Sequence, residues 1–231
     1  MKKSIFINGV KVFAFNDRKQ LLDFLEGKKI ILIAINSEKI LKEDPKLKQI
    51  INQNLGYTDG MGAVMAMRQK GFQVSKIPGA ELWLDIVKKF HHEKTFYLLG
   101  STQDIIDKTV KKLKSEYPNI NIVGYRNGYL KEDEKEELFN ELQKKKPDIV
   151  FIAQGSPRQE FLMDELMQVY PALYMGLGGS FDVYTGFKKR APKFFLDLNL
   201  EWLYRLLKEP TRISRQIQLV KFVYLFMMKK L

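Results

Sequence analysis

The sequence contains no cysteine and only two histidines, His91 and His92, which are adjacent. Disulfide frameworks, thiolate metal sites and cysteine nucleophiles are therefore excluded, and neighbouring histidines suit no usual zinc spacing. Long hydrophobic runs are missing too. The longest, IILIAI (30–35) and FVYLFMM (222–228), fall short of the roughly 20 residues that a spanning helix needs. Two lysines open the chain, but no long apolar stretch follows them, so MKKSIFING does not read as a secretory leader. The expected location is cytoplasmic, with contact to a membrane but no passage through it. A GxxxxGK[ST] loop is also absent, which argues against nucleoside triphosphate hydrolysis.

What is present is enough for a large core: 45% of the 231 residues are hydrophobic and 29% charged, a balance that excludes wholesale disorder. The formal charge is +12, and it is unevenly placed. Residues 186–231 hold eleven basic and three acidic side chains, a surplus of eight, so the first 185 residues carry only four. A local excess of this kind points to a local anionic partner such as phosphate, a membrane surface or nucleic acid. Nucleic acid is disfavoured, because Trp202, Tyr204, Phe222 and Tyr224 sit in apolar helical runs and are not free to stack on bases.

The opening SIFINGVKVFAF reads as a hairpin around Asn8-Gly9. Apolar runs of strand length follow at 29–35, 95–100, 121–125, 148–153 and 172–176, most of them separated by stretches of helical period. This alternation predicts a parallel sheet covered on both faces, a layered, Rossmann-like α/β core at 1–192. Residues 193–231 show no further sheet-like alternation and predict a helical, basic appendage. Its first helix is so broadly apolar that the domain, a second copy in a homo-oligomer, or lipid must cover it. KEDEKEE (131–137) reads as the solvated start of a helix.

In such sheets ligands sit beyond the carboxyl ends of the strands, which directs attention to the loops there. GLGGSF (176–181) begins like a dinucleotide fingerprint, but the third glycine would fall at Phe181. Gly178 and Gly179 can still bring backbone N–H groups to an oxyanion, or simply make a tight turn. GSPRQE (155–160) has two readings. Ser156, Pro157 and Gln159 form a capping box, or Gly155, Arg158, Gln159 and Glu160 meet a sugar or phosphate at a helix start. Thr58-Asp59-Gly60 is likewise either a turn and cap or the site of a general base, Asp59. In the tail, Arg205, Arg212 and Arg215 match the bidentate geometry of phosphate oxygens.

INSEK (35–39), TDGMG (58–62), GAELW (79–83), GSPRQE (155–160), MGLGGSFDVYTGFKKRAP (175–192) and LEWLYRLLKEPTRISRQ (200–216) together resemble the WecG/TagA/CpsF family of bacterial glycosyltransferases. GAELW, ALYMGLGG and AINSEK are most similar to the branch that transfers N-acetyl-D-mannosaminuronic acid in enterobacterial common antigen synthesis. The resemblance implies an inverting hexosyltransferase that needs neither metal nor cofactor and works peripherally at the cytoplasmic face of the inner membrane. Its donor would be a UDP-sugar and its acceptor N-acetylglucosamine on undecaprenyl diphosphate. Consistent with that, the sequence has no Asp-x-Asp pair.

Carried over by motif, Asp59 is the general base, Gln159 a substrate contact at the catalytic centre, Asn36 a polar group at the sugar and Asp182 a contact to the donor nucleotide. Arg205, Arg212 and Arg215 grip the lipid diphosphate. Thr58, Gly155, Arg158, Glu160, Gly178, Gly179, Lys189 and Arg190 complete the expected binding set. The teichoic-acid branch has threonine where this chain has Ala34, so a threonine contact there has to be replaced. Rival expectations are transfer of N-acetylmannosamine or another hexose to the same acceptor, and a non-catalytic scaffold that binds polyprenyl lipid.

Overall fold

Asn8 and Gly9 adopt positive φ angles of 48° and 76°, which closes a two-residue hairpin between β1 (Ser4–Ile7) and β2 (Val10–Phe13). The protein is described from a computed structural model. It describes residues 3–198, 200–208 and 213–231, without the side chains of 196, 197, 201, 205 and 213–216. The remaining strands are β3 (Ile30–Ile35), β4 (Leu55–Thr58), β5 (Thr95–Gly100), β6 (Asn121–Arg126), β7 (Ile149–Ala153) and β8 (Leu173–Gly176). They form one parallel sheet in the order β4-β3-β8-β7-β5-β6.

The helices are α1 (Arg18–Phe24), α2 (Ser37–Leu41), α3 (Pro45–Gln53), α4 (Met61–Gln69), α5 (Gly79–Phe90) and α6 (Gln103–Glu116). After a single 3-10 turn at Glu132–Glu134 come α7 (Lys135–Lys145), α8 (Arg158–Val169), α9 (Ser180–Tyr184), α10 (Lys193–Asp197), α11 (Glu201–Lys208) and α12 (Ile213–Met227). Both faces of the sheet are covered, so β3, β5, β7 and β8 read as apolar runs. Along β3, Ile31, Ile33 and Ile35 enter one core cluster and Leu32 the other. The expected α/β architecture with its N-terminal hairpin is the observed one.

Strand β4 was not expected. Its four residues include Gly56, where a Cβ would stand 2.6 Å from the Lys11 carbonyl of β2. The hairpin backbone crosses the strand there, and only glycine admits so close an approach. The last helix of the tail packs against the core. Phe222 of α12 is 2% exposed and belongs to the same buried cluster as Ile40, Leu41, Ala63 and Met67 of α2 and α4. Ile217, Val220, Tyr224 and Met227 of the same helix remain exposed. No helix among the described residues is long and apolar enough to cross a membrane.

Candidate active site

The expected site residues up to Asp182 follow the strand order of the sheet at its carboxyl end. Asn36 follows β3 and caps α2, its Oδ1 accepting the Lys39 backbone N–H at 3.0 Å. The adjoining turn after β4 is tied down by the Ile35 carbonyl, which accepts the N–H groups of Asp59 and Gly60 at 3.0 and 3.3 Å. Thr58 is fully buried and donates its hydroxyl to the Ser75 carbonyl at 2.7 Å. Asp59 does not cap the helix that follows it, for the N-cap of α4 is Gly60 and carries no side-chain cap. Its Oδ1 instead accepts the N–H of Gly79, the first residue of α5, at 2.7 Å. A carboxylate there meets the positive end of a three-turn helix.

On the other side of β3, GSPRQE departs from a capping box. Helix α8 begins at Arg158 after Pro157, with no side-chain cap. This puts Gln159 one position too early to reach back to the cap, and its side chain turns into the protein, 4% exposed. Gln159 Oε1 accepts the Gly178 N–H at 2.9 Å, and Nε2 donates to Glu160 Oε1 at 3.2 Å. The same Glu160 oxygen lies 2.7 Å from Lys39 Nζ, which also donates to the Ala34 carbonyl at 3.0 Å. Burial pushes the Glu160 carboxyl up, but the Lys39 charge and the hydrogen bonds it receives more than offset this, holding it below its ordinary value.

Lys39 was not among the expected site residues. It joins INSEK, GSPRQE and GLGG into one buried network, and the only sequence signal was its place on the turn that Asn36 caps. The Gly178 N–H is spent on Gln159, so that amide does not face an oxyanion while the bond holds. Gly179 is exposed, and Gly155 takes a positive φ of 79° at the end of β7. Asp182, in the first turn of α9, accepts the Ser101 hydroxyl at 3.3 Å, and Gly128 N–H donates to the Ser101 carbonyl at 2.8 Å. Ser101 thereby brings the end of β5 to the same edge.

The basic residues divide. Arg190 is paired with Glu81 Oε1 at 2.5 Å, while Arg18 holds Glu81 Oε2 at 2.8 Å. Arg158 and Lys189 are exposed. Arg212 lies outside the described residues, as do the side chains of Arg205 and Arg215. Among the described residues no three His, Asp or Glu side chains are grouped to hold a metal ion.

A parallel α/β sheet with a polar cluster at its carboxyl end has the arrangement in which open α/β sheets receive their ligands. The profile of the glycosyl transferase WecG/TagA/CpsF family matches residues 6–231, nearly the whole chain. The chain belongs to that family. Membership makes it a glycosyltransferase of cell-surface polysaccharide synthesis, with a sugar donor and a lipid-linked acceptor.

Proposed function

We propose that the chain is an inverting, metal-independent transferase that moves N-acetyl-D-mannosaminuronic acid from UDP to N-acetylglucosamine on undecaprenyl diphosphate, with Asp59 as general base. The observation that carries the catalytic part is the Asp59 carboxylate, fixed by the Gly79 N–H at the carboxyl edge of the sheet beside Asn36. Asp59 takes the proton of the acceptor 4-hydroxyl as its oxygen bonds to the anomeric carbon. The bond from that carbon to the UDP oxygen breaks on the opposite face, and UDP leaves with the electron pair. Donors aimed at the leaving diphosphate lower the barrier where its charge develops. Gly179 is assigned to it, the arginines at 205, 212 and 215 to the diphosphate of the lipid acceptor, and Asp182 with Ser101 to the nucleotide.

The exposed apolar side chains of α12 and the basic tail suit a peripheral position on the inner membrane, where each Lys or Arg near anionic headgroups adds about 1 kcal/mol. One observation favours a neutral N-acetylhexosamine as the donor: Arg190, a candidate partner for a uronate carboxylate, is already neutralised by Glu81. A panel of UDP-sugars with lipid-linked N-acetylglucosamine separates the readings. Turnover with the uronate supports the first, turnover with N-acetylmannosamine alone supports the second, and no UDP release with any donor defeats both.

A further inference from the structure

Tyr57 is fully buried, and its hydroxyl has no hydrogen-bond partner. Phenylalanine would fill the same space without an unpaired polar atom, so the hydroxyl carries a desolvation penalty that packing does not explain. Its surroundings suggest what does. Tyr57 is the ladder partner of Ala34 in the β3–β4 pair and stands two residues before Asp59. A Cβ added to Gly79 would stand 2.7 Å from the Tyr57 hydroxyl, 3.5 Å from Asp59 Oδ1 and 3.9 Å from the Ala34 Cβ. The phenol, the carboxylate and the small side chain thus converge on one bare α-carbon. Burial, and after it the charge of Asp59, push the Tyr57 phenol well above its ordinary range. It therefore stays protonated, and its O–H dipole is attracted to the carboxylate.

We propose that Tyr57 is a positioning residue for Asp59: with substrate bound, its hydroxyl closes on Oδ1 beside the Gly79 N–H, so that the other carboxylate oxygen faces the acceptor hydroxyl. The inference rests on the reading of Asp59 as general base. The hydroxyl is itself shielded from the surface, so it acts through the carboxylate and not on the sugar.

The test uses the full chain with Tyr57→Phe and with 3-fluorotyrosine at position 57, a more acidic donor of nearly the same shape. Tyr57→Phe should melt at or above the wild-type temperature, lose about tenfold in kcat and keep KM for both substrates. The fluorotyrosine protein should recover the turnover that Tyr57→Phe loses and shift the acid limb of the kcat pH profile to lower pH, because a stronger donor stabilises the Asp59 carboxylate; a purely structural role would leave that profile unmoved. In an Asp59→Asn background, Tyr57→Phe should change kcat by less than about twofold, because the two residues act as a unit. Wild-type kcat in Tyr57→Phe, or the same tenfold loss in the Asp59→Asn background, would overturn the proposal. Wild-type turnover in Asp59→Asn alone would instead remove the base reading itself.

Discussion

Lys39 Nζ lies 2.7 Å from Glu160 Oε1, with only 8% and 1% of the two side chains exposed. Two charges so deeply withdrawn from water are costly unless each satisfies the other, and removing one partner leaves the second stranded. Lys39→Met should therefore cost about 3–5 kcal/mol in urea denaturation at about neutral pH.

The same pair gives a pH dependence with a defined sign. The folded Glu160 carboxyl sits below its ordinary value of 4.5. Its contribution to stability is thus fully present above that value and is lost as the pH falls through the lower, folded one. The stability gap between wild type and Lys39→Met should narrow over that acidic window. A gap that stayed constant, or widened as the pH fell, would mean that Glu160 is not the group stranded by the substitution.

Gln159→Leu removes both the acceptor for the Gly178 N–H and the donor to Glu160. About 1–3 kcal/mol of stability should go with them. Donor affinity, measured by calorimetry with UDP-sugar, should weaken because the loop after β8 loses its anchor. Unchanged donor binding would separate this network from the nucleotide.

Asp59→Asn keeps an oxygen able to accept the Gly79 N–H, so melting should be little changed. Turnover should fall by about 10² to 10⁴, the range of a lost general base. Near-normal turnover would take Asp59 out of the role.

Phe222→Ala should cost about 3–5 kcal/mol, the range for a large side chain removed from a packed core. A cost under about 1 kcal/mol would show that α12 does not pack on α2 and α4 in solution.

The strands β3, β5, β7 and β8 were legible because burial on both faces writes them as apolar runs, and the half-buried edge strand β6 was legible from the short stretch NIVGY. β4 was not, since four residues with a glycine carry no such run and owe their place to β2 crossing above them. The helical period of the tail was visible, but nothing in it marked Phe222 as core and Val220 or Tyr224 as surface. That division depends on where α2 and α4 lie. The motifs brought Asn36, Asp59, Gln159, Gly178 and Asp182 to one edge of the sheet. What joins several of them could not be read in the same way. The burial of Lys39 depends on a carboxylate far along the chain, and the orphaned hydroxyl of Tyr57 depends on a bare α-carbon in another helix.

Under the proposed function, transfer inverts the anomeric centre and needs no metal. The direct measurement is the anomeric configuration of the disaccharide-lipid formed from a UDP-sugar and short-chain, diphosphate-linked N-acetylglucosamine in the presence of EDTA, read by NMR. The product should have the opposite configuration to the donor and form at the same rate with and without chelator. Retained configuration, or a reaction abolished by EDTA and restored by a divalent ion, would contradict the proposal.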